Sequence, residues 1–370
     1  MSAPRFTAEQ RAAIEDRSGS ALLAANAGSG KTAVMVERFV EAVLLDEVPV
    51  ASILALTFTE KAAGELRERV RKRLHDLGEE EHARSVDASW IGTIHGFCAR
   101  VLRARPLAAG LDPRFVVLEE AAAGRIAAAA YERALEAWVA ALGRPAVDLA
   151  AAYGVGLQDL VLGAHDTLRS RGAEPRLQIP AERPAPSPAA LADARAVAAA
   201  ELEGAGDGIR VSEGRSALAA CARALDIRPA HPVPTPGELD PAKLGAGAKA
   251  LATEACEAYR TAWDAYRRAC ADHHARPALR LLDELLRRFA AEYADGKAER
   301  AAVDFEDLEL GVRDLLADDA ERRRWSERFA LLMVDEFQDT NRLQLDLLEA
   351  LERGNLFAVG DEFQSIYRFR

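Results

Sequence analysis

Short apolar runs lie near both ends of the chain, separated by segments of helical periodicity. The runs occupy residues 21–25, "ILALTF" (53–58), "LLMVDEF" (331–337) and "LFAVGDEF" (356–363). Continuous apolar runs of about 4–8 residues are typical of strands buried on both faces, as in a parallel sheet. The two ends of the chain are therefore predicted to form an α/β fold.

The middle of the chain, about residues 105–300, has a different pattern. Alanine, leucine, arginine and glutamate recur there at helical spacing, interrupted by "IPAERPAPSPAA" (179–190) and "RPAHPVPTPGELDP" (228–241). This pattern predicts a mostly helical domain with proline-rich loops. A compositional bias of the source genome explains the alanine and proline content equally well.

Composition narrows the class of protein. A chain of 370 residues is long enough for two domains. The net charge of −11 gives no sign of nucleic-acid binding, so local patches must decide. No apolar run approaches the ~20 residues that span a bilayer. The four cysteines are widely spaced and form no C-x-x-C pair, namely Cys98, Cys221, Cys256 and Cys270. This spacing favours neither disulfides nor a zinc site, and it predicts a cytoplasmic protein.

A phosphate-binding loop is predicted in "ALLAANAGSGKT", residues 21–32. The string follows G-x-x-x-x-G-K-[ST], except that Ala25 replaces the first glycine. Lys31 would bind the β- and γ-phosphates of a nucleotide, and the Thr32 hydroxyl would ligate Mg²⁺. A glycine turn before an ordinary helix is the alternative. The candidate nucleotide-binding residues are Ala25, Asn26, Ala27, Gly28, Ser29, Gly30, Lys31 and Thr32.

Two adjacent carboxylates follow a predicted strand in "LLMVDEFQDTNRLQ". The carboxyl ends of parallel strands are where ligand sites form in α/β folds. Asp335 is predicted to hold Mg²⁺ through water, and Glu336 to orient and deprotonate the attacking water. Carboxylate pairs are common at strand ends, so this prediction depends on the phosphate loop. Together the strings favour a catalytic set of Lys31, Asp335 and Glu336.

The ordered set of strings resembles the UvrD/Rep-like superfamily 1A DNA helicases, and especially the RecB- and AddA-type (exonuclease V beta subunit-like) helicase subunits. This family often has alanine at the first glycine position of its phosphate loop. The matching strings, in chain order, are "FTAEQRAAI", "ANAGSGKT", "LTFTEKAAGELRERV", "IGTIHGFCARVL", "VDFEDL", "VDEFQDTN" and "VGDEFQSIYRFR".

The resemblance implies a P-loop NTPase, RecA-like parallel sheet (domain 1A) with an inserted, mostly helical domain (1B). We expect domain 1A at residues 1–104 and 301–370, and domain 1B at 105–300. The string "LDPRFVVLEE" (111–120) resembles the segment that leads into the insertion, and "VDFEDL" (303–308) the segment that returns from it. The sequence ends inside the last matched string. A second RecA-like domain is therefore expected to be absent, and the isolated chain to be impaired.

The resemblance also assigns roles to single residues. Gln10 would read the adenine edge, and Gln364 would sense the γ-phosphate as a fourth catalytic residue. The family commonly has an arginine after the position of Thr32, where this chain has Ala33, and Arg38 is a candidate substitute. The residues implied in DNA binding are Thr57, Phe58, Thr59, Thr93, His95, Tyr367 and Phe369.

Three of the DNA-side assignments compete with structural alternatives. Phe58 could be a core aromatic, and a lone His95 could be structural. Glu60 stands where relatives often have asparagine, which casts doubt on a phosphate contact there. The helix predicted after Glu60 could bind DNA through its basic residues, or this basic face could simply be solvated. Its basic residues are Lys61, Arg67, Arg69, Arg71, Lys72 and Arg73.

The function implied by the resemblance is an ATP-dependent 3′–5′ DNA helicase or translocase of DNA repair or recombination. Its cofactors would be ATP and Mg²⁺. Its partners would be single-stranded DNA or DNA with a 3′ single-stranded tail, and a helicase–nuclease subunit is a further candidate partner. An ATP-binding regulatory switch and a plain single-strand-binding module are the alternatives. DNA-stimulated ATP turnover distinguishes the helicase from both.

Overall fold

The computed structural model describes residues 6–24, 30–181, 184–206, 208–226 and 233–361. Its strands are β1 Ala21–Ala24, β2 Ile53–Thr57, β3 Trp90–Thr93, β4 Val116–Val117, β5 Ala302–Val303, β6 Leu331–Val334 and β7 Leu356–Gly360. Its helices are α1 Ala8–Glu15, α2 Lys31–Leu44, α3 Glu60–Asp76, α4 Glu80–Ser85, α5 Ile94–Ala104, α6 Glu120–Leu142, α7 Arg144–Tyr153, α8 Gly156–Ser170, α9 Ala189–Glu203, α10 Ile209–Leu225, α11 Pro236–Leu239, α12 Glu254–Ala298, α13 Phe305–Leu316, α14 Asp319–Arg328 and α15 Arg342–Leu351.

Five strands form one sheet in the order β1-β7-β6-β2-β3, and every neighbouring pair is parallel. The four apolar runs of the sequence give β1, β2, β6 and β7, so the predicted α/β class with a parallel sheet is confirmed. Strand β3 was not predicted, because its four residues include a glycine and form no long apolar run. Helix α2 begins at Lys31.

The central strands are apolar throughout because both of their faces are buried. In β2, Ile53 and Ala55 pack with residues of α2 and α3, while Leu54 and Leu56 face the opposite way. That second layer includes residues of α5, α13 and α15. The carboxyl ends of β1, β2, β6 and β7 therefore share one edge of the sheet.

The chain divides into two compact units. The first comprises Met1–Ala137, Val155–Arg176 and Leu286–Arg370, and the second comprises Trp138–Gly154 and Leu177–Leu285. The second unit lies within the range expected for domain 1B, but the predicted domain boundaries themselves stay a prediction.

The second unit is helical and has a core of its own. Tyr259 is fully buried, and its hydroxyl donates a 2.6 Å hydrogen bond to the Ala242 carbonyl. The Trp263 indole N–H donates to the Leu239 carbonyl at 3.0 Å. A Cβ added at Gly214 would lie 2.9 Å from the Leu251 side chain. Glycine therefore allows α10 to pack closely against Leu251 at this position.

Strands β4 and β5 pair in parallel within the first unit. They belong to the two segments that the resemblance associates with leaving and rejoining the RecA-like domain. Beyond β5, Asp304 caps α13 by accepting a hydrogen bond from the Asp307 N–H. The two segments therefore lie side by side.

A buried group of charges, the Asp304 network, fixes this region. It consists of Arg169, Lys297, Asp304 and Asp307. Asp304 lies 2.9 Å from Arg169 and 2.5 Å from Lys297, and Asp307 lies 2.5 Å from each cation. Burial opposes ionisation of Asp304, but the two cations outweigh it and hold the pKa of Asp304 below its ordinary value. The network therefore links α8, the end of α12 and the start of α13.

Within the described residues, no single helix is long and apolar enough to cross a bilayer. One consecutive pair, Arg144–Tyr153 and Gly156–Ser170, meets the length and composition requirement only when the two helices are taken together. Cys98 is fully buried in α5. Burial, with a smaller contribution from Glu309, raises the pKa of its thiol, so it is a poor nucleophile.

Candidate nucleotide and DNA site

The structure brings together residues from both ends of the sequence at the carboxyl edge of the sheet. Lys31 begins α2, and Glu336 follows β6. The Lys31 Nζ lies 3.2 Å from the Glu336 Oε2, although the two residues are 305 positions apart in the chain. The Lys31 side chain is 9% exposed and the Glu336 side chain 39%. A buried amine thus faces a partly solvated carboxylate.

Helix α2 begins without a capping side chain. Its N-cap residue, Gly30, has a left-handed backbone with φ +83° and no side-chain cap hydrogen bond, a conformation that favours glycine. The first N–H groups of a helix need partners from outside it, and a phosphate supplies them well. Gly30 and Lys31 therefore present the geometry of a phosphate site. Ala25, Asn26, Ala27, Gly28 and Ser29 lie outside the described residues.

The carboxylates of Asp335 and Glu336 are held by the chain around them. The Asp335 N–H donates to the Leu56 carbonyl at 2.9 Å, which extends the β6–β2 pairing. Glu336 has a left-handed backbone, φ +50° and ψ +45°, which few non-glycine residues adopt. Its N–H donates to the Asp335 Oδ1 at 3.0 Å. This turn aims the Glu336 side chain at Lys31.

The donor set fits a hard divalent cation. Burial raises the pKa of the Asp335 carboxyl, and the neighbouring Glu336 carboxylate raises it further. A cation beside Asp335 would relieve both effects, and Mg²⁺ prefers carboxylate, hydroxyl and water oxygens. Thr32 lies in the first turn of α2 next to Lys31. Its role as a metal ligand stays a prediction.

Gln338 completes the contacts of Glu336 and was not predicted from the sequence. Its Nε2 donates to the Glu336 Oε2 at 2.8 Å, and its Oε1 accepts from the Asp361 N–H at 2.8 Å. Its only sequence signal was a position inside "VDEFQDTN", two residues after the predicted base.

Gln10 lies beside Gly30, the residue of the predicted phosphate loop that precedes α2. Helix α1 starts with a capping box in which Thr7 and Gln10 exchange hydrogen bonds. The Gln10 Nε2 is 3.4 Å from where a Cβ on Gly30 would stand. The predicted nucleotide residue is therefore adjacent to the loop, and its contact with adenine stays a prediction.

Arg38 does not face the nucleotide site. The prediction that it takes the place of the arginine that the family commonly has after the position of Thr32 is therefore wrong. It is 4% exposed and donates to the carbonyls of Ala13, Ile14 and Asp16 at 2.9, 3.1 and 2.6 Å. Its guanidinium also lies over the Phe357 ring, 4.5 Å from the centroid. These contacts tie α1 to α2 and β7.

The three predicted DNA contacts at the end of β2 differ in exposure. Phe58 is 43% exposed, so the alternative that it is a core aromatic is wrong. Thr57 is buried, and its hydroxyl donates to the Thr59 carbonyl at 3.0 Å. The Thr59 side chain caps α3 by accepting from the Ala62 N–H at 3.1 Å. Phe58 is thus the most available of the three for a base.

The two predicted DNA contacts at the junction of β3 and α5 have partners within the protein. The Thr93 hydroxyl caps α5 and donates to the Glu60 Oε1 at 2.7 Å. The His95 Nε2 lies 3.1 Å from the Glu309 Oε1, and the His95 ring packs against Phe305. Glu60, where relatives often have asparagine, therefore has a structural role. DNA contacts by Thr93 and His95 stay predictions.

Glu309 is another functional candidate that sequence reasoning missed. It is 3% exposed on α13, and it accepts from the Gln344 Nε2 at 2.7 Å as well as contacting His95. Nothing in the sequence signals these contacts, because they join helices far apart in the chain.

A cavity of about 240 Å³ lies at the ends of β2 and β6. Its lining includes Thr57, Phe58, His95, Asp335 and Glu336. The two predicted catalytic carboxylates and three of the predicted DNA contacts therefore line the same cavity.

The basic residues of α3 mostly have partners within the protein. Arg73 makes a double hydrogen bond to Glu37, and Arg71 pairs with Glu68 and Asp87. Arg67 donates to the Ile91 carbonyl, and Arg69 pairs with Glu65. Four of the six basic residues thus have partners within the protein, and DNA binding by this helix stays a prediction. The three remaining predicted residues lie outside the described part of the chain: Gln364, Tyr367 and Phe369.

The family model of the UvrD/REP helicase N-terminal domain matches residues 6–370, and the chain belongs to this family. This membership confirms the resemblance and the RecA-like P-loop fold predicted from the sequence.

Among curated proteins, the chain is similar to the A subunits of several bacterial ATP-dependent helicase/nucleases. The identities are 32% in Pelotomaculum thermopropionicum, 31% in Desulforudis audaxviator and 28% in Syntrophomonas wolfei subsp. wolfei. These matches cover 99%, 100% and 99% of the chain and 35%, 36% and 34% of the relatives. The chain thus spans about a third of the length of the curated relatives it matches.

Proposed function

We propose that this chain binds Mg-ATP and forms the ATP-binding half of an ATP-dependent DNA helicase or translocase. The observation that carries the proposal is the 3.2 Å approach of Lys31 to Glu336, beside the uncapped start of α2. The two elements that a P-loop enzyme needs, a phosphate-binding lysine and a carboxylate at a strand end, meet at one sheet edge.

In the proposed reaction, Lys31 leaves Glu336 and binds the β- and γ-phosphates. Asp335 would hold Mg²⁺ through water and Thr32 would ligate it directly, and the ion would supply charge neutralisation at the phosphates. Glu336 orients the attacking water and accepts its proton while the water oxygen bonds to the γ-phosphorus and the bond to ADP breaks. The left-handed backbone of Glu336 sets the direction from which that proton is taken.

On the DNA side, we propose that Phe58 stacks against a base of single-stranded DNA and that His95 contacts a phosphate. The exposure of Phe58 and the position of both residues on the cavity wall support these roles. We further propose 3′–5′ polarity and a role in repair or recombination. The relatives are each named as one subunit of a helicase/nuclease, which supports a partner chain.

A second candidate function is an ATP-binding switch without unwinding. The Lys31–Glu336 contact supports it, because a bound nucleotide would exchange the partner of Lys31 and so distinguish two states. The helicase proposal requires that single-stranded DNA accelerate ATP hydrolysis, whereas the switch does not.

The test is phosphate release from Mg-ATP by the full-length protein with and without homopolymer DNA, using Lys31→Ala as the control without nucleotide binding. Stimulation by DNA in the parent protein alone supports the helicase proposal. Nucleotide binding without stimulation favours the switch, and no binding contradicts both. Strand separation on duplexes with 3′ or 5′ tails then tests polarity.

A further inference from the structure

We propose that Gln338 is a positioning residue that holds the Glu336 carboxylate in place while Lys31 exchanges Glu336 for ATP phosphate. This inference rests on the proposed function of the site. In this proposal Gln338 contacts neither ATP nor the attacking water, and it affects hydrolysis only through Glu336.

The contacts of Glu336 carry the argument. Both Lys31 Nζ and Gln338 Nε2 reach the same oxygen, Oε2, at 3.2 and 2.8 Å. When Lys31 turns to a phosphate, that oxygen loses its cationic partner. The amide of Gln338 then keeps the Glu336 carboxylate in the orientation that proton transfer from the water requires.

Gln338 can do this because its other end is anchored. Its Oε1 accepts from the Asp361 N–H, the first peptide after β7. Strand β7 lies within the sheet between β1 and β6, which is a rigid support. The neutral amide donates at one end and accepts at the other, and an isosteric carboxylate could only accept.

Gly360 leaves room for this arrangement. A Cβ added at Gly360 would stand 2.9 Å from the Gln338 Oε1 and 3.4 Å from the Gln338 N. Because the closest atom is the end of a flexible side chain, an added methyl would displace the Gln338 amide before it displaced the backbone. The end of β7 therefore gives a second, independent way to disturb Gln338.

The experiment uses the 370-residue chain with Gln338→Glu and Gly360→Ala, and Gly92→Ala as the matched control. Gly92 is also a sheet glycine, but an added Cβ there meets no atom within 4 Å. Mg-ATP affinity is measured with a fluorescent ATP analogue. Hydrolysis is measured as single-turnover phosphate release with protein in excess, with and without homopolymer DNA.

We expect Gln338→Glu and Gly360→Ala to bind Mg-ATP as the parent does, with hydrolysis reduced about 10–100-fold. Gly92→Ala should match the parent. In a Glu336→Gln background, Gln338→Glu should cause no further loss, because a residue that acts only through Glu336 has nothing left to position.

Parental hydrolysis in Gln338→Glu, or an added loss in the double variant, would overturn the inference and leave the proposed function standing. A parent protein that neither binds Mg-ATP nor releases phosphate would instead refute the proposed function, and this inference with it.

Discussion

The Lys31–Glu336 pair and the Asp304 network both consist of opposite charges in the first unit, but they differ in how many partners each charge has and in how buried they are. In the Asp304 network, two cations face two carboxylates, and Lys297 and Asp304 are each 6% exposed. Within the described residues, Lys31 contacts one carboxylate, and that carboxylate is 39% exposed. In the closed Asp304 network each charge already has a partner of opposite sign, whereas the open Lys31–Glu336 pair can exchange its partner. The difference separates a structural use of charge from a functional one.

The largest effect is expected on the open pair. Glu336→Gln keeps the shape of the side chain and removes the proton acceptor, so Mg-ATP should still bind while hydrolysis falls about 10²–10⁴-fold. Nucleotide affinity and phosphate release measured on the same preparation check this. Hydrolysis near the parental rate would show that Glu336 is not the base.

A change in the closed network should act on stability instead. Asp304→Ala leaves Arg169 and Lys297 buried with less compensation, and breaking such a buried pair typically costs about 3–5 kcal/mol. Urea unfolding of the variant and the parent measures it. The matched control is Asp314→Ala, which removes a carboxylate that is 68% exposed and paired with Arg313. Equal effects of the two substitutions would contradict the structural role of the network.

Stacking on the DNA side should have a smaller effect. Phe58→Ala should weaken binding of single-stranded DNA by ~1–3 kcal/mol, with little dependence on base sequence. Fluorescence anisotropy with several homopolymers measures it. Leu45→Ala is the control, because Leu45 is 71% exposed and lies outside the cavity lining. A loss confined to one base would indicate hydrogen-bonded readout instead of stacking.

The smallest expected effect is a pH dependence of stability from one carboxyl group. Since the pKa of Asp304 is lowered in the folded protein, its contribution is present above the unfolded value of about 3.9 and is lost as the pH falls below it. The parent should therefore lose more stability than Asp304→Asn between neutral and acid pH. Unfolding midpoints across that range test it, and parallel curves would contradict the assignment.

The sheet was predictable because β2 and β6 are buried on both faces, which makes their sequences continuously apolar. The catalytic candidates were predictable because a phosphate loop and a strand-end carboxylate pair have local patterns. The contacts of Gln338, Glu309 and Arg38 were not predictable, because they depend on which helices and strand ends pack together.

The central claim is that one buried lysine binds a ligand, whereas another stabilises the fold. Lys31 and Lys297 are 9% and 6% exposed and both contact carboxylates, so Lys31→Met and Lys297→Met are matched substitutions. The decisive measurement is Mg-ATP affinity and urea-unfolding free energy for both variants, under conditions in which each is folded. We predict that Lys31→Met loses nucleotide binding with little change in stability, while Lys297→Met loses stability and keeps parental affinity. Nucleotide binding retained by Lys31→Met, or lost equally in both variants, would contradict the account.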